Sequence, residues 1–532
     1  MKTIYKNGAV YTGKLPLVEA FAVEDGKFVF AGSSAEADAL AAAGDKVVDL
    51  GGKFVCSGFN DSHMHLLNYG SSLLKAQLAA HTESLEDMLA CLDTFQKEHP
   101  RKDGAWLMGR GWNQDYFTDV DRMPNRYDLD RVSTEVPICA TRACGHCLVV
   151  NSKALELLGV TADTPQPEGG EIGMENGEPD GRFFDNAMEP VYDSIPVPSK
   201  EEIKDMIRSA CKALNSYGVT SSQSDDYCVY RAVPWQTVNE AYKELEDSGE
   251  LTVRVYEQSN FKGFVEAGNV TGIGTDRFKI GPLKMLGDGA LGARTAFLSR
   301  PYADDPSTCG IPVFTQETMD EMIGYANAHG MQAAVHTIGD ACLDRVLSAY
   351  EKALAENPRE DHRHGIVHCQ ITRADQLEKI AKMHLHVYAQ SIFLDYDNHI
   401  VEERVGKELA STSYSWKTLM NNGVSVSNGT DCPVELPDAL ACMQCAVTRT
   451  TLRDHVGPYL PDQKFTVQEA LDSYTIRSAE ASFEENVKGQ IAEGMMADFV
   501  VLGQNPFEVD ESTIKDIPVC RTYLAGELVY EA

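Results

Sequence analysis

At 532 residues the chain is too long for one small domain. A prior of about 150 residues per domain allows three or four, and fewer where a barrel takes about 250 residues as one unit. The composition, 43% hydrophobic and 24% charged, is that of a globular protein with a large core. The net charge of −33, without any cluster of Lys and Arg, argues against a nucleic-acid partner. "MKTIYKNGAVYTG" has no apolar signal-peptide core, and no run of about 18 apolar residues suggests a membrane span. The 14 Cys are expected to be reduced thiols of a cytoplasmic protein.

From the N-terminus, "TIYKNGAVYTG" and "AFAVEDGKFVFAG" alternate apolar and polar residues around Asn7-Gly8 and Asp25-Gly26, two predicted hairpin turns. The far end, "ADFVVLGQNP" and "VCRTYLAGELVY", is strand-like again. A small sandwich-like β domain is therefore expected from residues 1–54 and 488–532, enclosing a different domain over 55–487.

That middle has a repeating pattern. Strand-like runs fall at "KFVCSGFNDSHMH", 218–226, 251–259, 277–289, 331–340, 364–370, 386–393 and 424–434. Helical patterns lie between them. Ile203, Met206, Ile207, Ala210 and Leu214 follow a 3.6-residue period that ends at a C′ glycine, Gly218. Leu343, Val346, Leu347, Tyr350 and Leu354 do the same, with Asp340 placed as N-cap. Eight strand–helix alternations predict a closed parallel (β/α)8 barrel of the TIM type, whose chemistry sits at the strands' C-terminal ends. Residues 71–200 interrupt the pattern after strand one and are expected to form an insertion over the barrel mouth.

The strand ends carry a pattern of their own. Strand one ends in His63 and His65, strand four in Lys284 and Asp288, strand five in His336, strand six in His368 and strand eight in Asp431. Period-2 geometry aims His63 and His65 at one face, as a shared cation requires. Imidazole with carboxylate suits Zn²⁺ or a similar divalent metal, one or two per chain. Alone, each piece has an ordinary structural explanation, such as a hydrogen-bonded core His or turn chemistry at Asp431. Their co-location at one end of separate strands favours a metal site. Lys284 fits two readings, a carbamate bridging two metals or a structural lysine paired with Asp288, and spacing does not choose between them.

"GFNDSHMH", "KMLGDGALGARTA", "AVHTIGDA", "RHGIVHCQ" and "NGTDCPV" together resemble the amidohydrolase superfamily. The likeness is to its amidohydrolase 3 branch, which includes N-substituted formamide deformylases. It implies metal ligation by His63, His65, His336, His368 and Asp431, a carboxylated Lys284 bridging two metals, and proton transfer by Asp431. It implies a hydrolase that cleaves a non-peptide C–N bond of a small molecule with metal-activated water. Relatives of this branch tend to read "RHRIEH" at strand six; here Gly365 and Val367 replace the Arg and Glu. "ACGHCLVVNSKAL" is also family-like and makes His146 a candidate to polarise the substrate carbonyl. Relatives are commonly homo-oligomers, which makes self-assembly an expectation. Ester, lactone or phosphotriester hydrolysis at the same site, or a non-catalytic metal-binding role, are the rival readings.

Trp112, Tyr116, Phe117 and Arg142 fit a substrate pocket and the insertion's own core equally well. Asp288 is a further substrate-binding candidate. The spacings Cys144–Cys147 and Cys442–Cys445 are read mainly as packing rather than zinc or redox pairs. His364, His384, His386 and His399 are read as structural.

Overall fold

The computed structural model describes residues 1–99, 104–143, 146–167, 169–230, 232–261, 263, 268 and 270–532. Two compact units result: Met1–Asn68 with Ala210–Ala532, and Tyr69–Ser209. Cys144 lies outside the described residues. No helix among them is long and apolar enough to cross a membrane.

Both termini build two small sheets in the first unit. One has the order Lys27–Gly32, Ala20–Glu24, Thr3–Lys6, Lys46–Asp49. The other runs Ala9–Val10, Phe54–Ser57, Phe499–Leu502, Val519–Leu524, Glu527–Glu531. Aromatic rings from both sheets make their common core. Tyr5 stacks on Phe21 at 4.7 Å, Phe499 on Tyr523 at 4.3 Å, and Tyr5 meets Phe499 edge-on at 5.2 Å. Such pairs add about 0.5–1.5 kcal/mol each beyond the area they bury.

Asp25 and Gly26 both have positive φ, 49° and 75°, and join antiparallel strands, as a tight hairpin requires. The hairpin predicted at Asn7-Gly8 does not form. The strand before it pairs with Ala20–Glu24 and Lys46–Asp49, whereas Ala9–Val10 pairs with Phe54–Ser57 in the other sheet. The same turn chemistry here makes a corner between sheets, because each flanking strand finds a better partner elsewhere.

The barrel strands are β1 (Phe59–Met64), β2 (Val219–Ser224), β3 (Arg254–Ser259), β4 (Phe278–Leu286), β5 (Ala333–Thr337), β6 (Gly365–His368), β7 (His386–Ala389) and β8 (Val426–Asn428). They form one eight-stranded sheet in sequence order with every neighbouring pair parallel. Beyond the ladders, the last and first strands are tied by Asp431 N–H to the His63 carbonyl (2.8 Å) and His65 N–H to the Cys432 carbonyl (2.7 Å). The predicted run "KFVCSGFNDSHMH" is two strands, divided at Gly58. Phe54–Ser57 stays in the terminal sheet and β1 enters the barrel. A Cβ on Gly58 would lie 2.2 Å from Thr220 Oγ1, so only glycine permits that crossing.

The helix Asp340–Glu356 buries Leu343, Val346, Leu347 and Tyr350 of the predicted apolar stripe, while at its end Ala353 is buried and the predicted Leu354 only half-buried. Its N-cap is Gly339, one residue earlier than predicted. Asp340 is the first helical residue, its carboxylate accepting from Ser299 and pairing with Arg373.

The second unit has its own six-stranded sheet: Gly170–Glu175, Glu178–Asp185, Cys147–Val150, Ile138–Arg142, Leu107–Trp112, Ala76–Gln77. Strand alternation feeds a core on each face. Ala140, Cys147 and Val149 pack on one side with Leu92 and Trp112; Cys139, Leu148 and Val150 pack on the other with Leu155 and Phe183.

Candidate metal centre

The centre is assembled by the meeting of β1 with the segment after β8. Asp61, on β1, accepts hydrogen bonds from the backbone N–H of His63 (3.1 Å) and Thr430 (3.1 Å) and from the Thr430 hydroxyl. Burial raises the Asp61 carboxyl to about 7. Gly429 passes so close to β1 that a Cβ there would lie 2.5 Å from the His63 nitrogen. This packing delivers Asp431 to the two strand-one imidazoles. Its Oδ1 lies 3.3 Å from His63 Nε2 and 2.9 Å from His65 Nε2.

The other nitrogen of each ring is held from behind. Gln258, on β3, places Oε1 3.2 Å from His63 Nδ1, which assigns the proton to Nδ1 and leaves Nε2 to ligate. Asp225, directly after β2, holds His65 Nδ1 with Oδ1. A tetrahedral ion with bonds of about 2.0–2.1 Å would separate its ligand atoms by about 3.3 Å. One donor atom each from His63, His65 and Asp431 lie within 4.8 Å of one another, and the contacts to Asp431 are near that tetrahedral separation, so these residues fit a divalent cation.

His336 and His368 stand beside them. The His368 ring is 5.6 Å from that of His63 and 4.5 Å from that of His336, with His368 Nε2 2.9 Å from His336 Nδ1. His336 Nε2 reaches the Gly289 carbonyl at 3.0 Å. His368 Nδ1 is buried with no hydrogen-bond partner among the described residues, a costly state for a polar atom unless a ligand satisfies it. His368 and Asp431 both adopt left-handed backbone, φ 74° and 58°. Such strain in non-glycine residues costs on the order of 1–3 kcal/mol and gathers at functional sites.

Burial, followed by the charge of Lys284, lowers His63 below the usual imidazole range and His336 to about 4; burial and His336 lower His368 well below it. All three are therefore neutral, the form that ligates metal. His65 differs. Burial opposes its charge, but Asp225 and Asp431 overcome that and raise it to about 10. Reciprocally, the His65 and Lys284 charges outweigh burial and hold Asp225 at about 2. Hydrogen bonds from His63 and His65 likewise outweigh burial and hold Asp431 well below the carboxylate range.

Lys284 is 4% exposed at its side chain and lies 3.4 Å from Asp225 Oδ2. The predicted alternative partner, Asp288, is engaged elsewhere. Its carboxylate accepts the backbone N–H groups of Phe297 (2.9 Å), Ile338 (3.0 Å) and Gly339 (2.8 Å), so it braces the loops after β4 and β5.

Three further candidates belong to the second unit. Trp112 is fully buried in that unit's core and donates its indole N–H to the Ala140 carbonyl at 2.8 Å, so the core reading holds for it. Arg142 binds Asn113, Gln114 and Asp115 and so braces that turn. His146 is largely exposed, with Nδ1 3.0 Å from Asp185 Oδ1. Cys442 and Cys445 are buried, unbridged thiols. His364 packs flat on Tyr350 at 5.1 Å and bonds Ala333 and Asn327 at the barrel's opposite end.

Asp225 and Gln258 escaped the sequence reading. The criterion applied to strands one, four, five, six and eight, a polar residue at the C-terminal end, also selects Asp225 after "VTSSQS".

Comparison with known proteins agrees with this geometry. A sequence model of the amidohydrolase family matches residues 46–530. The chain is 33% identical to a putative amidohydrolase, YtcJ, of Bacillus subtilis over the full length of both. It is 25% identical to an N-substituted formamide deformylase of Arthrobacter pascens, covering 96% of this chain and 95% of that one. The crystal structure of an uncharacterized metal-dependent hydrolase from Pyrococcus furiosus superposes with a TM-score of 0.79 at 30% identity, over 96% of this chain and all of the other. The chain belongs to the amidohydrolase family.

Proposed function

We propose that the protein is a metal-dependent hydrolase that cleaves a non-peptide C–N bond, of amide or formamide type, in a small molecule in the cytoplasm. The observation that carries this reading is the convergence of one donor atom each from His63, His65 and Asp431 within 4.8 Å of one another, with His368 Nδ1 beside them lacking a partner among the described residues. A divalent cation, zinc by ligand type, supplies there the Lewis acidity that makes water nucleophilic near neutral pH.

The chain's own groups do the rest. His63 and, with its proton displaced by the cation, His65 would hold the metal through Nε2, oriented by Gln258 and Asp225. Asp431 keeps its charge at any ordinary pH. Its carboxylate, which meets both imidazoles through Oδ1, takes the proton of the attacking water and returns it to the departing nitrogen. One C–N bond is broken, and the products are a carboxylic acid and an amine. His146 is the candidate to polarise the carbonyl. Lys284, buried next to Asp225, is the candidate for carboxylation: CO2 added at Nζ with loss of the amine's protons would give an anionic carbamate able to ligate metal. The N-substituted formamide deformylase among the relatives supports the choice of bond.

Elemental analysis of protein prepared with bicarbonate, alongside turnover of N-formyl, N-acyl and ester substrates, tests the reading. Two metals per chain, one of them lost in Lys284→Ala, and hydrolysis of amides ahead of esters are the expected results. Ester or phosphotriester turnover without amide cleavage would replace the bond assignment, and a full metal load without any turnover would replace the enzyme assignment.

A further inference from the structure

A cavity of about 170 Å³ opens above the strand ends beside the metal centre. That is roughly the volume of five or six waters at about 30 Å³ each, room for a ring or a short chain. Its walls come from the segments after β4 (Leu291), β5 (Ile338), β6 (Gln370), β7 (Phe393, Asp397) and β8 (Glu435). It adjoins the ligands directly, since the Phe393 ring lies nearly parallel to that of His368 at 5.8 Å.

The lining is mostly apolar, and beside the Tyr396 hydroxyl its polar side chains, Gln370, Asp397 and Glu435, present mainly acceptors. Asp397 Oδ2 accepts from Tyr414 Oη (2.7 Å) and Gln370 Nε2 (2.9 Å). Those bonds fix the Gln370 amide so that Oε1 is left over. That atom is buried in a residue only 2% exposed and has no partner among the described residues. Glu435 makes no hydrogen bond or ion pair among the described residues, and it feels the carboxylates of Asp395 and Asp397 more strongly than the nearby Arg453. Burial followed by those like charges raises its carboxyl to about 7. Among the described residues the wall thus offers acceptors and carboxylate charge in excess of its donors. A ligand that brings N–H donors and positive charge on an apolar body would satisfy both.

We propose that this cavity is the subsite for a cationic, apolar-bodied substituent of the substrate, an arylalkyl- or alkylammonium group, with Glu435 as its counter-charge. The inference rests on the hydrolase reading for its place in catalysis, but not for its ligand. Glu435 is partly exposed and touches no metal ligand, so Glu435→Gln is expected to fold and to keep its metal.

Calorimetric titration of the metal-loaded full chain with benzylammonium and with benzyl alcohol tests the binding. At least tenfold tighter binding of the ammonium, lost in Glu435→Gln, is expected. Equal affinity for the two probes, binding of neither, or benzylammonium binding that Glu435→Gln leaves intact (an amine held by the metal instead) overturns the subsite.

Turnover of N-[4-(aminomethyl)benzyl]formamide against N-(4-ethylbenzyl)formamide supplies the second arm. An at least tenfold advantage in kcat/KM for the charged compound, carried by KM and abolished in Glu435→Gln, is expected. Equal turnover of both overturns the subsite and leaves the hydrolase. Benzylammonium binding as expected, with neither formamide cleaved, leaves the subsite and removes the formamide reading.

Discussion

The two ends of the barrel both bury charge, and they treat it differently. At the N-terminal end Arg254 and Asp498 form a two-pronged pair at 2.6 and 3.0 Å, and Glu484 takes one Lys on each oxygen, Lys279 and Lys488, both at 2.7 Å. Each charge has an opposite charge in contact. At the C-terminal end Asp431 is shared between two imidazoles, His368 keeps a buried nitrogen without a partner among the described residues, and His368 and Asp431 sit on strained backbone. Buried polar groups that only support the fold are expected to be satisfied. Unpartnered atoms also occur at the start of β1, on Asn60, so it is the strained backbone and the shared carboxylate that mark the C-terminal end as the one arranged for a ligand.

Substitutions can test that contrast, and the largest effect is expected at Asp431. Asp431→Asn should lower kcat by about 10²–10⁴, the usual worth of a general acid–base, while elemental analysis shows metal near normal. Loss of metal in step with activity would make the residue a ligand only.

At the opposite end Glu484→Gln should cost about 3–5 kcal/mol of stability in chemical denaturation, because the buried Lys488 and the half-buried Lys279 lose their charge partner. The same group predicts a pH dependence. Despite burial, Lys488 and Lys279 hold Glu484 at about 2 in the folded chain, below its ordinary value of 4.5. Its contribution is therefore complete above about pH 4.5 and is lost as pH falls toward 2. The variant should show a shallower decline in denaturation midpoint across that window, and an unchanged slope would contradict the assignment.

A smaller effect is expected from Asp225→Asn, which leaves His65 without its anionic brace. Metal affinity, read by competition with a chromophoric chelator, should fall about 10–100-fold, with stability changed little in comparison. Smallest is His364→Phe, which keeps the stack on Tyr350 but drops the bonds to Ala333 and Asn327. About 1–3 kcal/mol of stability should go, with the metal content untouched. A loss of metal in this variant would blur the division between the two ends.

Much of this was legible because periodicity and turn chemistry are local. All eight barrel strands follow from apolar runs, and the strand-end rule brought His63, His65, Lys284, His336, His368 and Asp431 to one rim. What sequence did not reveal depends on partners distant in the chain. Asn7-Gly8 has hairpin chemistry, but the two strands beside it are claimed by different sheets. Gly58 carries no local sign that Thr220 will crowd it. Trp112 has the same composition signal in a pocket as in a core, and only the second unit's sheet decides. Asp288 is acidic at a strand end like Asp431, yet three backbone amides surround it, and no spacing announces them.

The bond between Asp61 and Thr430 carries a consequence for how this molecule comes into being. Asp431 and His65 are separated by 366 positions, so nothing resembling the catalytic cup exists on a nascent chain until its eighth strand has emerged and found its first. Closing so long a loop is slow and entropically costly. A cation that recognises only the joined ends would lock that late event in place by mass action. Metal supply would then govern how much of the newly made protein stays closed, as well as how fast the finished enzyme works.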